Sequence, residues 1–573
     1  MTLLESFRHQ APAPLPPRPI PIPRASEITL SNGLIVVIVE DSRLPLVSYR
    51  LAFRAGDAHD PPELPGLTDL LTGLLTEGTE SLTSREIADE VGRMGATLSS
   101  GANSDYTTVG ASSLATFSDH ILDLVADVTR NPSFPENEVE LIKENTKESL
   151  RQQRAQPSFL ATEMVSRVVF GNHPYSVIAP TLESLDATTR ERIVKFHRSK
   201  FLPNNAVFVV AGDVRSDVLL KRIESLFADW QPAELQKDDF PAPPSRASRS
   251  AYLVDRPGSA QSNIVIANTG IPRTAPDYFP MLLMHTVLGA NASSRLFMNL
   301  REDKGYTYGA YSSLDARRTA GTFRATAEVR TSVTGDSLKE FFHELDRIRT
   351  EPVSEKEVMD AKSYLTGVFP LRLETQEGLI DQLVQIKMFG LPDDYLETYR
   401  QQIHAVTTEQ IQAVATKYVR PGEAAIVIVG DGAEVLEQVK PYTDAIEIYN
   451  TAGKRKEKTS APSDPKGKSD AALILGDWTL DIQTPFGQNI PATLKIWQTE
   501  SGLGGSVTSE MGDAKIVSAT LAGDSFTATL SFEMGVQALE ATIVGEVDGT
   551  QVDGSISLQD SPQLPFTGTR HPS

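Results

Sequence analysis

Residues 201–214 read FLPNNAVFVVAGDV, and residues 419–432 read VRPGEAAIVIVGDG. Each is a proline-led turn, an unbroken apolar run and a Gly-Asp ending, the pattern of a buried strand closed by a turn. Gly212 and Gly430 lie 218 residues apart. A second pair keeps nearly the same interval. FPENEVELIKENTKESL (134–150) and VSEKEVMDAKSYLTGVF (353–369) both open on a cap-like start and continue with helical spacing, and Glu138 and Glu357 are 219 apart. Strand endings of this kind are common in mixed α/β chains, but two landmarks at nearly one spacing point to an internal duplication.

Working outward, the first half is expected over 26–235. Strands are expected at 27–40 and 46–54, helices at 66–77 and 84–94, and a strand pair around Gly101. Helices follow at 116–130 and 135–155, then a strand at 206–211 and a helix at 215–228. Strands joined by hairpins and helices in series make the class α+β rather than doubly wound. A linker over 236–250, QKDDFPAPPSRASRS, is long enough to let a second half, 251–450, face the first. Residues 451–471, TAGKRKEKTSAPSDPKGKSDA, lack large apolar side chains and read as a flexible tether rather than a nucleic-acid patch. Residues 472–573 alternate polar and apolar positions between frequent glycines, so an antiparallel β-barrel or sandwich is expected there, as a binding or packing module. Residues 1–25 form a Pro-rich arm, with APAPLPPRPIPIP at 11–23.

Composition narrows the function classes. The 573 residues carry 54 Lys+Arg against 75 Asp+Glu, a net charge of −21. That balance argues against nonspecific nucleic-acid binding and against adsorption to an anionic membrane. With no cysteine, disulfides, thiolate metal sites and a Cys nucleophile are excluded. No run approaches the ~18 apolar residues of a membrane span. The Pro-rich start and the appended β module lead to the expectation of a periplasmic or otherwise exported chain, with the cytoplasm left open.

The search for chemistry begins with metal. The histidines stand at 9, 59, 120, 173, 197, 285, 343, 404 and 571, and no two are spaced i, i+3 or i+4. A local H-E-x-x-H or H-x-x-E-H motif is therefore absent; a site assembled from distant histidines stays open. GANASSRL (289–296) lacks the P-loop pattern, and no G-x-S-x-G elbow occurs. One segment does resemble a site: SSRLFMNLREDKGYTYGAYSS (293–313). Arg301 at a helix end and Tyr308, seven residues on, could hydrogen-bond a peptide carbonyl and stabilise an oxyanion. The plainer account is an Arg301 paired with Glu302 or Asp303, and core tyrosines.

GLTDLLTGLLTEGT (66–79) sets Leu67, Leu70, Leu71, Leu74 and Leu75 on one helical stripe and Asp69, Thr72 and Gly73 opposite. Together with LSNGLIVVIVED, RAGDAHDPPELPG, FGNHPYS (170–176), PNNAVFVVAGDV and SSRLFMNLREDKGYTYG, this stretch resembles the pitrilysin-like inverted-zinc peptidases, the M16 family, over about 26–450. The resemblance implies two duplicated α/β halves in a LuxS/MPP-like clamshell. In such proteins a segment like 66–79 carries H-x-x-E-H. Matching the two puts Asp69 at the first His, Thr72 at the general-base Glu and Gly73 at the second His. Glu148 or Glu144 falls where the family's remaining zinc ligand belongs. The resemblance therefore implies no zinc in this chain, since one carboxylate does not make a four-coordinate site. It also implies that Arg301 and Tyr308 match a substrate-binding pair. Some relatives work as two chains, so the expectation is a heterodimer. A zinc-bearing M16 homologue would supply the metal, this chain Arg301 and Tyr308, and peptides would be the substrate. A degenerate homodimer that holds partners without cleaving them is the alternative.

Overall fold

The structure is a computed structural model that describes residues 22–456, 474–483, 489–499, 502–510, 512–522, 525–534, 537–558 and 564–570. Most of the expected Pro-rich arm, and 457–471 of the second linker, lie outside the described residues. The chain divides into a unit ending at Glu457 and a C-terminal unit beginning at Lys458.

The first unit holds two mixed sheets that agree in five of their six strands. Strands β1 (Ala25–Thr29), β2 (Ile35–Glu40), β3 (Leu46–Phe53), β4 (Thr97–Ala102), β5 (Thr107–Leu114) and β6 (Ala206–Gly212) pair in the order β1-β2-β6-β3-β5-β4. Strands β7 (Ser250–Asp255), β8 (Gln261–Thr269), β9 (Thr307–Ala316), β10 (Gly321–Arg330), β11 (Ala425–Gly430) and β12 (Ile446–Tyr449) pair as β12-β7-β11-β8-β10-β9. In each sheet the strand from the opening motif is central. β6 runs parallel to β2 and antiparallel to β3, and β11 runs parallel to β7 and antiparallel to β8. The duplication extends to the helices: Glu136–Arg154 and Glu355–Leu373 start 219 residues apart, as do Pro157–Phe170 and Gln376–Phe389.

Two expectations change in detail. The strand expected at 27–40 is two strands, because Gly33 takes a left-handed turn at φ 88° between them. The helix expected at 66–77 spans Leu67–Leu74, with Gly66 left-handed at φ 90° as its N-cap. All five leucines of its stripe are at most 2% exposed.

The apolar runs are continuous because both faces of each sheet are covered. Along β6, Phe208 and Val210 join the core of the first lobe, while Val207, Val209 and Ala211 face the other way. The cover on that second face is the helix Gln376–Phe389, which belongs in sequence to the other half and packs on β3 and β6. The reverse holds in the second lobe. Val427 and Val429 of β11 and Val265 of β8 join Leu160, Met164 and Val165 of the helix Pro157–Phe170. Each half thus lends one helix to its partner's sheet. At roughly 1.5–3 kcal/mol per buried apolar side chain, four such residues on one helix outweigh any of the surface ion pairs between the lobes.

The C-terminal unit is a closed antiparallel barrel. Strands β13 (Gly476–Gln483), β14 (Asn489–Thr499), β15 (Gly502–Ser509), β16 (Gly512–Ala522), β17 (Ser525–Met534), β18 (Gln537–Asp548), β19 (Gln551–Leu558) and β20 (Leu564–Arg570) pair in sequence order, and β13 closes on β20. Inward residues such as Leu480, Leu494, Leu530 and Ile543 fill its core, and Trp478 donates its indole N–H to the Ile474 carbonyl at 3.0 Å.

Candidate functional site

The Leu67–Leu74 helix is built for anchoring. Asp60 caps its N-terminus: one carboxylate oxygen accepts the Gly66 N–H at 2.8 Å, and the other accepts the Thr68 N–H at 2.9 Å and the Thr68 hydroxyl at 2.5 Å. Of the three residues at the motif positions, only Asp69 is open. Thr72 is 3% exposed; its hydroxyl donates to the Asp69 carbonyl at 3.0 Å, and its own carbonyl accepts the Ser100 hydroxyl of β4 at 2.6 Å. Gly73 is half-buried against the helix Glu136–Arg154, where an added Cβ would lie 2.3 Å from Ile142 Cδ1. An imidazole at 73 therefore needs Ile142 to move.

Glu148 does not join this face. Six residues past Ile142, it is turned about 120° away around the helix axis. It is exposed and pairs with Arg151. Glu144 is also exposed and pairs with Lys147 at 2.7 Å. The position that follows Ile142 on the same face is Thr146, whose hydroxyl donates to the Ile142 carbonyl at 2.7 Å.

Asp69 opens on a cavity of about 190 Å³ whose lining comes entirely from the first lobe, with Asp57, Asp60 and His173 among its walls. The Asp69 side chain meets solvent, but the concave wall displaces much of its water. That desolvation, with the Asp57 carboxylate adding to it, pushes its carboxyl up to about 6. Burial likewise raises Asp57, and raises Asp60 despite its three donors. His173 sits in the FGNHPYS segment, and both of its ring nitrogens are engaged. Nδ1 accepts the Tyr175 N–H at 3.1 Å, which leaves the proton on Nε2 for the Thr319 hydroxyl at 3.1 Å. Burial, then Arg317, lowers it to about 4, so the ring is neutral. His59 accepts the Gly56 N–H at Nδ1 and donates from Nε2 to Asp238 at 2.9 Å. This wall can hold a proton or a cationic group. It does not fit zinc: among the described residues no group of three or more His, Cys, Asp or Glu could hold a metal ion.

The second lobe presents the other candidate pair. Arg301 lies in a π-helical turn, Met298–Asp303, a rare geometry that recurs at functional sites. Gly305, at φ 64°, turns the chain out of it into β9. Tyr308 stands at the start of β9 and is 91% exposed, so it is not a core tyrosine, and its hydroxyl has no partner among the described residues. Arg301 is exposed, pairs with Glu302 and lies 5.0 Å from the centroid of the Phe297 ring. No hydrogen bond or ring contact joins Arg301 to Tyr308. An exposed pair such as Arg301–Glu302 contributes about 0–1 kcal/mol, so a substrate carbonyl could displace Glu302 at small cost. Nearby, Arg295 is 7% exposed and grips Glu357 with Nε at 2.7 Å and Nη2 at 3.1 Å.

Asp57, Asp60 and His173 were not singled out by motif spacing. Their signal was the acidic, proline-rich turn DAHDPPELPG (57–66); the chain distance to His173 hid the rest.

Two six-stranded lobes thus frame an Asp69 helix that offers one open carboxylate and no imidazole, with no metal-holding group among the described residues. Comparison with known proteins names the family. Residues 35–180 match the family described as Insulinase (Peptidase family M16), and 187–365 match that described as Peptidase M16 inactive domain. The chain belongs to the M16 peptidase family, as a non-catalytic member. A Bacillus subtilis protein described as an uncharacterized zinc protease, YmxG, is 23% identical over 395 residues, 68% of this chain and 94% of that protein. A Helicobacter pylori protein described as a non-peptidase homolog, YmxG, is 23% identical over 394 residues, 68% and 90% of the two. The crystal structure of a peptidase M16 inactive domain from Pseudomonas fluorescens superposes with a TM-score of 0.67 at 25% identity, covering 71% of this chain and 98% of that one.

Proposed function

We propose that this chain is the non-catalytic subunit of a heterodimeric M16-type zinc peptidase, acting on peptides or unfolded segments. The observation that carries the reading is Tyr308, an almost fully exposed phenol with a free hydroxyl, seven residues beyond the π-helical Arg301. One exposed ring is ordinary on a protein surface; what gives Tyr308 weight is its place seven residues beyond Arg301, the spacing of the substrate-binding pair that the M16 resemblance implies. In the proposed complex, the Arg301 guanidinium and the Tyr308 hydroxyl donate hydrogen bonds to a substrate carbonyl and stabilise the oxyanion that develops on it. The zinc and its activated water belong to the partner chain. The free sheet edges, β4 and β9, suit peptides that add as an extra strand.

The test is reconstitution. The purified chain alone should carry no stoichiometric zinc and cleave no fluorogenic peptide. Mixed with a zinc-bearing M16 homologue from the same genome, it should raise cleavage, and Arg301→Ala or Tyr308→Phe should remove that gain. Zinc and activity in the chain alone would end the reading, and so would variants that leave the mixed activity intact. The second reading, a homodimer that binds without proteolysis, draws on the Helicobacter relative described as a non-peptidase homolog. A stable dimer of the chain alone by light scattering, with no gain on adding the homologue, would favour it.

A further inference from the structure

The chain carries a net charge of −21, yet one cavity at the seam of its two lobes is basic. It measures about 650 Å³ and collects cations from four segments. Arg54 follows β3, Arg198 and Lys200 end the helix Arg190–Lys200, Lys237 lies on the linker, and Arg318 lies in the β9–β10 turn. The carboxylates facing it are Glu234 and Asp238.

Asp238 is already engaged, by His59 at 2.9 Å and by Arg318. Arg54 has one acceptor, the Lys387 carbonyl at 3.2 Å, and no carboxylate. Lys200 makes no side-chain hydrogen bond or ion pair among the described residues. The Arg318 Nε–H is buried without a partner. Local explanations cover part of this. Arg198 and Lys200 complement the C-terminal end of their own helix, and Arg54 satisfies a carbonyl in the last turn of Gln376–Phe389. Neither accounts for cations of both lobes and the linker converging on one open space. Burial and the neighbouring Arg318 both disfavour the charged form of Arg54, and burial disfavours that of Lys200, an effect the Asp238 carboxylate offsets only in part.

We propose that this seam cavity binds a phosphate group, free or carried by a small metabolite, with Arg54, Lys200 and Arg318 as its donors. A tetrahedral dianion offers oxygens in several directions, which suits three cations from three segments better than a planar carboxylate does. Bound there, it ties β3, the Arg190–Lys200 helix and the β9–β10 turn together, and so favours one arrangement of the lobes.

The full chain is titrated with inorganic phosphate, and separately with acetate, against chloride at matched ionic strength. Isothermal calorimetry and hydrogen–deuterium exchange are the readouts. The expected result is one saturable phosphate site per chain, with slowed exchange at 198–205 and 317–319. Lys200→Gln should weaken it at least tenfold; the same loss with Arg54→Gln supports the assignment, although that variant also frees the Lys387 carbonyl. Phosphate heat no larger than that of chloride would overturn the proposal. So would a Lys200→Gln variant of unchanged affinity, or acetate binding as tightly as phosphate. No peptidase partner is involved, so this outcome is independent of the heterodimer.

Discussion

The two lobes share five strands in one order, differ at the sixth (β1 runs antiparallel to β2, β12 parallel to β7), and differ in what they hold toward a ligand. In the first, the helix that faces Asp69 outward is packed shut at its other two motif positions, Thr72 under β4 and Gly73 against Ile142. The exposed chemistry is acidic. In the second, a guanidinium and a phenol, Arg301 and Tyr308, stand in the open between the helix Tyr278–Gly289 and the body of β9. The helices at 136 and 355 show the same divergence. Ser354 forms a capping box with Glu357, which Arg295 also grips, whereas Pro135 caps its helix without a side-chain bond. Duplication preserved what the core needs and left the ligand-facing positions free to diverge.

The largest effect tests the exchanged helices. Ile380→Ala and Met164→Ala should each cost about 2–5 kcal/mol, since both are at most 4% exposed. The sharper outcome is location: hydrogen exchange should accelerate in β6 for Ile380→Ala and in β11 for Met164→Ala. Loosening confined to the sheet of the mutated half would break the exchange account.

Next comes the capping-box ion pair. Burial opposes ionisation of Glu357, but the Arg295 hydrogen bonds and those from Ser354 prevail and hold its carboxyl at about 2. Its folded value lies below the ordinary 4.5, so its contribution is present above about pH 4.5 and disappears as pH falls toward 2. Glu357→Gln should cost about 3 kcal/mol at pH 7 and flatten that acid limb in urea unfolding. Glu138→Gln, its partner by duplication, should stay within about 0.5 kcal/mol.

A smaller change is expected of opposite sign. Asp69 has its folded pKa raised to about 6 from 3.8, so its carboxylate disfavours the fold as pH rises through 6 and is neutral in effect below 3.8. Asp69→Asn should stabilise the fold at pH 8 by less than about 1 kcal/mol after solvent screening, read as a higher Tm, and the gain should vanish by pH 3.5. A loss of stability at pH 8 would mean that Asp69 has a cationic partner.

The smallest effect is an expected null. Asp69→His with Thr72→Glu and Gly73→His restores the motif letters, yet atomic absorption should find no stoichiometric zinc. Glu148 faces away and Ile142 fills the space of the second imidazole. Adding Ile142→Ala and Thr146→Glu is the change expected to create a site. Zinc in the triple variant alone would show that the helix can rotate.

Much of this was legible in the chain itself. The 218–219-residue echoes set the duplication, the leucine stripe set the anchoring helix, and alternation between glycines set an antiparallel β module, barrel or sandwich, because periodicity and turn chemistry are local properties. The missing imidazoles at 69 and 73 and the Arg301–Tyr308 spacing were also readable there. Tertiary structure alone decided the remainder. It sent Pro157–Phe170 and Gln376–Phe389 to each other's sheets, since an apolar stripe records that it must be covered but not by what. It buried Thr72, turned Glu148 to solvent and left Tyr308 exposed, because the direction of a side chain follows from helix phase and from neighbours outside its own element. It also gathered Arg54, Lys200 and Arg318 into one cavity, a convergence of charge that no segment of the sequence contains.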